Sequence, residues 1–260
     1  MKSAMPFSVK PFKPLLDVIV TLLMWIYFTW GFFLFFAPRY VAAVLRRADR
    51  EAAFQRLNCI FFRGFFRLLR LITPGVTLNI RDEIRTIRSS VIVCNHLSYL
   101  DPILLISLFE KQKTIVKSAF FNVPVFSSIL RQSGYIPSAG DDYASLMIRN
   151  IENIREYLAS GGNVFIFPEG TRSRTGRLGP FNKGAFSIAR YCRAPIQCLM
   201  IRDTNRLFVP GRFRFNTCMP VSIGVERIGV FDPDYGDPAF RLAALISQIR
   251  SLYEKRLAKG

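Results

Sequence analysis

Residues 91–101 read Val91-Ile92-Val93-Cys94-Asn95-His96-Leu97-Ser98-Tyr99-Leu100-Asp101, four apolar residues that break off abruptly into polar ones. A short, continuous apolar run rich in β-branched residues suits a strand buried on both faces, as in parallel sheets. The run that follows, Pro102 to Phe109, has helical length, so this stretch predicts strand, turn and helix in succession. Beyond Thr73-Pro74-Gly75 the same alternation continues. Thr114 to Val116 and Val164 to Phe167 read as strands, and Ile196 to Ile201 as another. Tyr143 to Leu158 reads as a helix stopped by Gly161-Gly162. At the C-terminal end, Asp237-Pro238 looks like a capped helix start, with Leu242, Leu245, Ile246, Ile249 and Leu252 forming a packing face. The pattern predicts an α/β fold: one domain with a central mixed sheet flanked by helices.

The composition narrows the function classes. Half of the 260 residues are hydrophobic and 25 are Phe, which excludes a disordered chain. Lys and Arg total 36 against 18 acidic residues, a net charge of +18 that implies an anionic partner: nucleic acid, a phospholipid surface or phosphorylated substrates. A mean hydropathy of +0.23 favours lipid. The five cysteines are odd in number and lack C-x-x-C spacing, which suits reduced thiols better than a disulfide framework. With His96 the only histidine, a zinc site of the usual kind has too few ligands, and no metal is expected.

Leu15 to Ala37 forms a 23-residue apolar stretch whose only charge is Asp17. At ~1.5 Å per residue it can cross a hydrocarbon core of ~30 Å, and it exceeds the ~7–15 apolar residues of a cleaved signal. Lys2, Lys10 and Lys13 precede it, and Arg39, Arg46, Arg47 and Arg50 follow it, placing the downstream side weakly toward the cytoplasm. From Ala53 to Ile72 arginines at 56, 63, 67 and 70 share one helical stripe, with Phe and Leu filling the rest. Such a helix could lie in the plane of an anionic bilayer with its rings among the acyl chains, or be an ordinary domain helix with a solvated face. Residues 1–72 are therefore expected to form a membrane-associating helical hairpin, and 73–260 a separate domain.

Two constellations could carry chemistry. His96 follows a strand, where α/β folds present reacting groups, and a neutral imidazole can accept a proton from an alcohol near pH 7. Asp101 could orient it, provided the turn bends the chain, since five residues along a straight helix rotate by ~140°. Asp101 before Pro102 also reads as a helix cap, and Ser98-x-x-Asp101 as a capping box. The second constellation is Phe167-Pro168-Glu169-Gly170-Thr171-Arg172-Ser173, again after a strand. Gly170 permits close backbone approach, Thr171 and Ser173 offer hydroxyls, and Arg172 can grip a phosphate with two parallel hydrogen bonds. It opens the most basic part of the chain, ten basic residues against Asp203 alone between Thr171 and Val225. A surface turn with solvated arginines would look similar.

Together, N-H-x4-D and F-P-E-G-T-R-S resemble the glycerolipid and lysophospholipid acyltransferases, typified by the 1-acylglycerol-3-phosphate acyltransferases, over roughly residues 75–225. The resemblance implies that His96 and Asp101 form a catalytic dyad. It also implies that Asn95, Lys117, Glu169, Gly170, Thr171, Arg172 and Ser173 line the substrate site. Lys117-Ser118 before Asn122-Val123-Pro124 resembles the family's intervening segment. Its second motif falls at Gly134-Tyr135-Ile136-Pro137-Ser138, without the arginine common there, and its fourth is matched loosely by Ala194-Pro195-Ile196.

The implied reaction moves a fatty acyl group from a thioester to a lysophospholipid hydroxyl, most simply that of 1-acyl-sn-glycerol 3-phosphate, giving phosphatidic acid. Acyl-CoA or acyl carrier protein would be the co-substrate, with no other cofactor. The expected setting is the cell inner membrane, with the 73–260 acyltransferase domain facing the cytoplasm. Alternatives are another lysolipid acceptor, or a non-catalytic, membrane-tethered module binding anionic lipid or nucleic acid. A serine hydrolase would need a G-x-S-x-G elbow, which is absent, as are the phosphate loop and known nucleic-acid motifs, so no nucleic-acid partner is expected.

Overall fold

A computed structural model describes residues 12–45, 49–138, 152–173 and 175–259. Lys2, Lys10, Arg46, Arg47, residues 143–151 of the expected helix and Arg174 lie outside the described residues. Seven strands share one sheet, flanked by helices, which is the α/β class expected. The chain divides into two compact units. One contains the described residues up to Arg81, Leu97–Glu110 and Ile201–Val225; the other contains Asp82–His96, Lys111–Met200 and Glu226 onward.

In the first unit, α1 (Lys13–Ile26) passes into a π-helical stretch (Tyr27–Phe36) and then into α2 (Ala37–Leu45). The result is a 33-residue helical run that is long and apolar enough to cross a membrane. Much of it is exposed, including Leu22, Trp30 and Leu34. The next helix, α3 (Arg50–Ile72), is capped by Asp49, whose carboxylate accepts the Ala52 amide at 3.1 Å. It packs antiparallel to the first run. Tyr27 donates to the Phe61 carbonyl at 2.7 Å, and Tyr40 to Asn58 Oδ1 at 2.6 Å. Gly64 is needed at this crossing, because a Cβ there would collide with the Tyr27 hydroxyl.

The aromatic face of α3 packs inside the unit. Phe54, Phe61, Phe62, Phe65 and Phe66 are buried within the unit, so the ordinary domain-helix reading holds for them. Helix α4 (Leu100–Leu108) covers part of α3, with Cys59 Sγ and Arg63 Nε on the Ser107 carbonyl at 3.4 and 2.8 Å and Arg63 Nη1 3.2 Å from Glu110. Three arginines of the stripe, Arg56, Arg67 and Arg70, remain exposed. Strand β1 (Val76–Ile80) pairs in parallel with the first half of β7 (Val221–Phe231), Val76 opposite Val221.

The second unit is built around β2 (Val91–Cys94), whose four residues are all buried. On one side lies β6 (Ile196–Arg202); on the other lie β5 (Asn163–Ile166), β3 (Gln112–Lys117) and β4 (Ile136–Ser138). All these ladders are parallel, with Val91 opposite both Val164 and Ile196. Burial on both faces explains the unbroken apolar runs. Helices α5 (Lys183–Cys192) and α7 (Leu242–Ala258) bury Phe186, Ile188, Leu245 and Ile249 against Val91, Val93, Val164 and Cys198.

The C-terminal helix begins at Leu242, five residues later than Asp237 suggested. Asp237 instead closes a turn, its Oδ1 accepting the Ala239 amide at 2.8 Å. Residues 152–159 are helical, completing the described part of the Tyr143–Leu158 prediction. No cysteine forms a disulfide, and Cys59, Cys94, Cys192 and Cys198 are buried.

Fully buried Tyr253 of α7 places its hydroxyl 2.8 Å from both the Val93 and the Leu199 carbonyls. Burial holds its phenol well above the usual range, so it stays a neutral donor. One side chain thus ties β2, just before His96, to the middle of β6.

Candidate active site

Parallel strands send their C-terminal ends to one edge, where loops can converge. In the second unit this edge gathers Asn95 and His96 after β2, Lys117 at the end of β3, and residues 167–173 after β5. The loop after β5 clamps His96 from both sides of its peptide. The His96 amide donates to Glu169 Oε1 at 3.0 Å, and the Ser173 amide donates to the His96 carbonyl at 2.8 Å. The imidazole stacks on Phe167, with ring centroids 4.2 Å apart at 23°.

Glu169 is 6% exposed, and its second oxygen accepts the Gly179 amide at 2.7 Å. Both of its carboxylate oxygens therefore hold backbone, one at the histidine turn and one at residue 179. Charge-assisted bonds of this kind contribute about 1.5–3 kcal/mol each. Gly170 adopts φ +66°, and a Cβ there would approach Asn182 Nδ2 to 2.9 Å. The loop is closed by the Asn182 amide on the Pro168 carbonyl at 2.8 Å and by Ser173 Oγ on the Arg177 carbonyl at 2.7 Å. Gly170 and Thr171 are exposed beyond this frame, and Arg172 is half-buried. Asn95 is buried, its Oδ1 3.8 Å from Cys94 Sγ, and Lys117 is exposed.

In the first unit, Asp101 is fully buried in the opening turn of α4. Its Oδ2 accepts the Leu97 and Ser98 amides at 2.5 and 2.7 Å, while Thr204 Oγ1 donates to Oδ1 at 2.5 Å. The helix cap proper is Tyr99, which makes no side-chain cap bond. The capping-box reading is met in part, through Asp101 on the Ser98 amide and Ser98 Oγ accepting the Leu100 amide at 3.4 Å. Asp101 thus fixes the backbone immediately after His96 as Glu169 fixes it at His96. A histidine so held can serve as a base without losing entropy to reorientation during the reaction.

Sequence reading missed Thr204, Tyr253 and Gly179. Tyr253 follows Leu245 and Ile249 at four-residue steps, so its burial was legible, but its partners on two strands were not. Thr204 carried no local signal. Among the described residues no cluster of three or more His, Cys, Asp or Glu forms a cation site.

A seven-stranded α/β sheet with a histidine held at a strand's C-terminal end defines an enzyme-like scaffold. The family model Acyltransferase matches residues 75–202, about half of the chain. A chloroplastic 1-acyl-sn-glycerol-3-phosphate acyltransferase from Brassica napus is 35% identical over 149 residues, 57% of this chain and 42% of that protein. The 1-acyl-sn-glycerol-3-phosphate acyltransferase of Saccharomyces cerevisiae is 28% identical over 168 residues, 62% of this chain and 54% of its own length. The chain spans about a third to a half of the length of such curated relatives. The crystal structure of the 1-acyl-sn-glycerophosphate acyltransferase from Thermotoga maritima has the same fold, with TM-score 0.69, 20% identity, and coverage of 94% of this chain and 96% of that one. The chain belongs to the acyltransferase family.

Proposed function

We propose that this protein transfers a fatty acyl group from a thioester to the free hydroxyl of 1-acyl-sn-glycerol 3-phosphate, forming phosphatidic acid. The observation that carries this reading is the clamp on His96, held through Glu169 and Ser173 at the C-terminal edge of the sheet. Its support is the family and the acyltransferase activity named for relatives from Brassica, Arabidopsis and yeast.

In the proposed mechanism His96 takes the proton of the acceptor hydroxyl as its oxygen attacks the thioester carbonyl. The tetrahedral intermediate collapses, an ester forms, the carbon–sulfur bond breaks, and the leaving thiolate recovers the proton from the imidazolium. Asp101 orients the imidazole and stabilises its charged form. Arg172 pairs with the acceptor's phosphate, assisted by Thr171 and Lys117, while the exposed Gly170 lets the acceptor approach the backbone. Glu169 and Ser173 hold the loop. The donor is acyl-CoA or acyl carrier protein, and the protein works at the inner membrane with this face toward the cytoplasm.

A second reading, another lysolipid acceptor, rests on the absence of the expected arginine at Gly134–Ser138 and on a human lysophospholipid acyltransferase 31% identical over 149 residues. Purified protein assayed with both donors against a lysolipid panel decides this. Fastest turnover of 1-acyl-sn-glycerol 3-phosphate supports the proposal, and preference for a choline or ethanolamine lysolipid overturns the acceptor assignment. No thioester consumption with any acceptor would leave only a binding module.

A further inference from the structure

The loop between α6 (Thr204–Leu207) and β7 carries Val209-Pro210-Gly211-Arg212-Phe213-Arg214-Phe215, and in the first unit it is built onto the apolar helical run. Its base is closed by the Asn216 amide on the Leu207 carbonyl at 2.7 Å and by Phe208 against buried Phe215, ring centroids 4.9 Å apart. Two polar residues of α1 hold it. Thr21 Oγ1 accepts the Phe215 amide at 3.0 Å, and Asp17 Oδ1 accepts the Thr217 amide and hydroxyl at 2.8 and 2.6 Å. Asp17, the one charge within an otherwise apolar stretch, is therefore explained by this loop.

The tip is of a different character. Phe213 is 64% exposed and stacks on Trp25 of the helical run, centroids 5.3 Å apart at 11°, and Arg212 and Arg214 beside it are both exposed. An exposed aromatic pair flanked by two guanidinium groups matches a bilayer interface, where rings sit at headgroup level and arginines reach phosphate oxygens. We propose that residues 208–215 form a second membrane contact, with Phe213 among the upper acyl carbons and Arg212 and Arg214 on the phosphates of an anionic phospholipid leaflet. This rests on the reading that the Lys13–Leu45 run meets the membrane. At its other end the loop is tied to the histidine turn, since Ser98 Oγ donates to the Phe208 carbonyl at 2.9 Å. Docking would thus hold the turn after His96 at a fixed relation to the lipid surface.

The test uses the full chain reconstituted in phosphatidylcholine vesicles, with or without phosphatidylglycerol, containing lipid brominated at shallow or deep acyl carbons. Trp25→Phe, Trp30→Phe and Phe213→Trp together leave one indole, at the loop tip; Trp25→Phe alone leaves Trp30 to report on the helical run. The expected result is quenching at position 213 by the shallow bromines, stronger when phosphatidylglycerol is present. Arg212→Gln with Arg214→Gln should weaken docking to anionic vesicles about thirty-fold and abolish that difference. Circular dichroism and unfolding midpoints confirm that each variant is folded. Quenching of Trp30 with none at position 213 overturns the proposal and leaves the helical run's membrane reading standing. Quenching at neither position overturns both, and quenching at 213 that ignores lipid charge overturns the role of the arginines.

Discussion

Replacing Glu169 by Gln changes one oxygen into an NH2 group and leaves the volume of a 6%-exposed side chain nearly the same. The carboxylate accepts from His96 N at 3.0 Å and from Gly179 N at 2.7 Å. Glutamine offers one acceptor oxygen, so its NH2 must face one of these two donors. The loss is one charge-assisted hydrogen bond of about 1.5–3 kcal/mol, with a buried N–H left opposite a second donor. A total of about 3 kcal/mol corresponds to a fall in unfolding midpoint of ~6–12 °C for a protein of this size, measured by thermal denaturation in detergent. Steady-state kinetics then separates the two roles open to Glu169. If it holds the histidine turn, kcat falls while the KM values of donor and acceptor stay near wild type, because the base is displaced and the binding groups are not. A variant with unchanged midpoint and unchanged kcat, or a defect confined to acceptor KM, would remove this role and return Glu169 to the substrate.

Asp101→Asn keeps an oxygen for the Leu97 and Ser98 amides, and its NH2 can donate to Thr204, whose hydroxyl can turn to accept. The fold should survive while turnover falls ~10²–10⁴-fold, and near-wild-type turnover would make Asp101 a structural residue only. Tyr253→Phe removes the donor shared by the Val93 and Leu199 carbonyls, costing about 1–3 kcal/mol and lowering the unfolding midpoint by ~2–12 °C; an unchanged midpoint would show that the bridge carries no stability. Arg172→Ala should raise acceptor KM and lower kcat with donor KM little changed, and Arg172→Lys should not restore either, because an ammonium is a single point charge. A defect confined to the donor would move Arg172 to the thioester's own phosphates.

Legibility in the sequence followed how local the determining interactions are. The strand Val91–Cys94 was readable to the residue, because burial on both faces demands four apolar positions in a row and the polar turn ends them abruptly. Strand β7 was not, since Ser222, Gly224, Glu226 and Arg227 interrupt it and its pairing with β1 comes from residues more than a hundred positions away. The Phe content of α3 suited a bilayer as well as a protein core, and only tertiary packing against α1 and α4 shows Phe54, Phe61, Phe62, Phe65 and Phe66 buried within the unit. At the site the motif residues were legible by type and spacing, but Glu169 read as a ligand-binding acid until its two oxygens were found on backbone amides. Thr204, a hundred residues from Asp101, has no signature that spacing could reveal.

That His96, the only imidazole in the chain, is the base activating the acceptor hydroxyl is the proposal on which the mechanism turns. Its most direct test is His96→Ala, folded to the wild-type unfolding midpoint and given 1-acyl-sn-glycerol 3-phosphate with a labelled acyl thioester, with labelled phosphatidic acid and released thiol measured together. Near-complete loss of both products with acceptor binding retained is predicted. Substantial formation of phosphatidic acid by the folded variant would contradict the account.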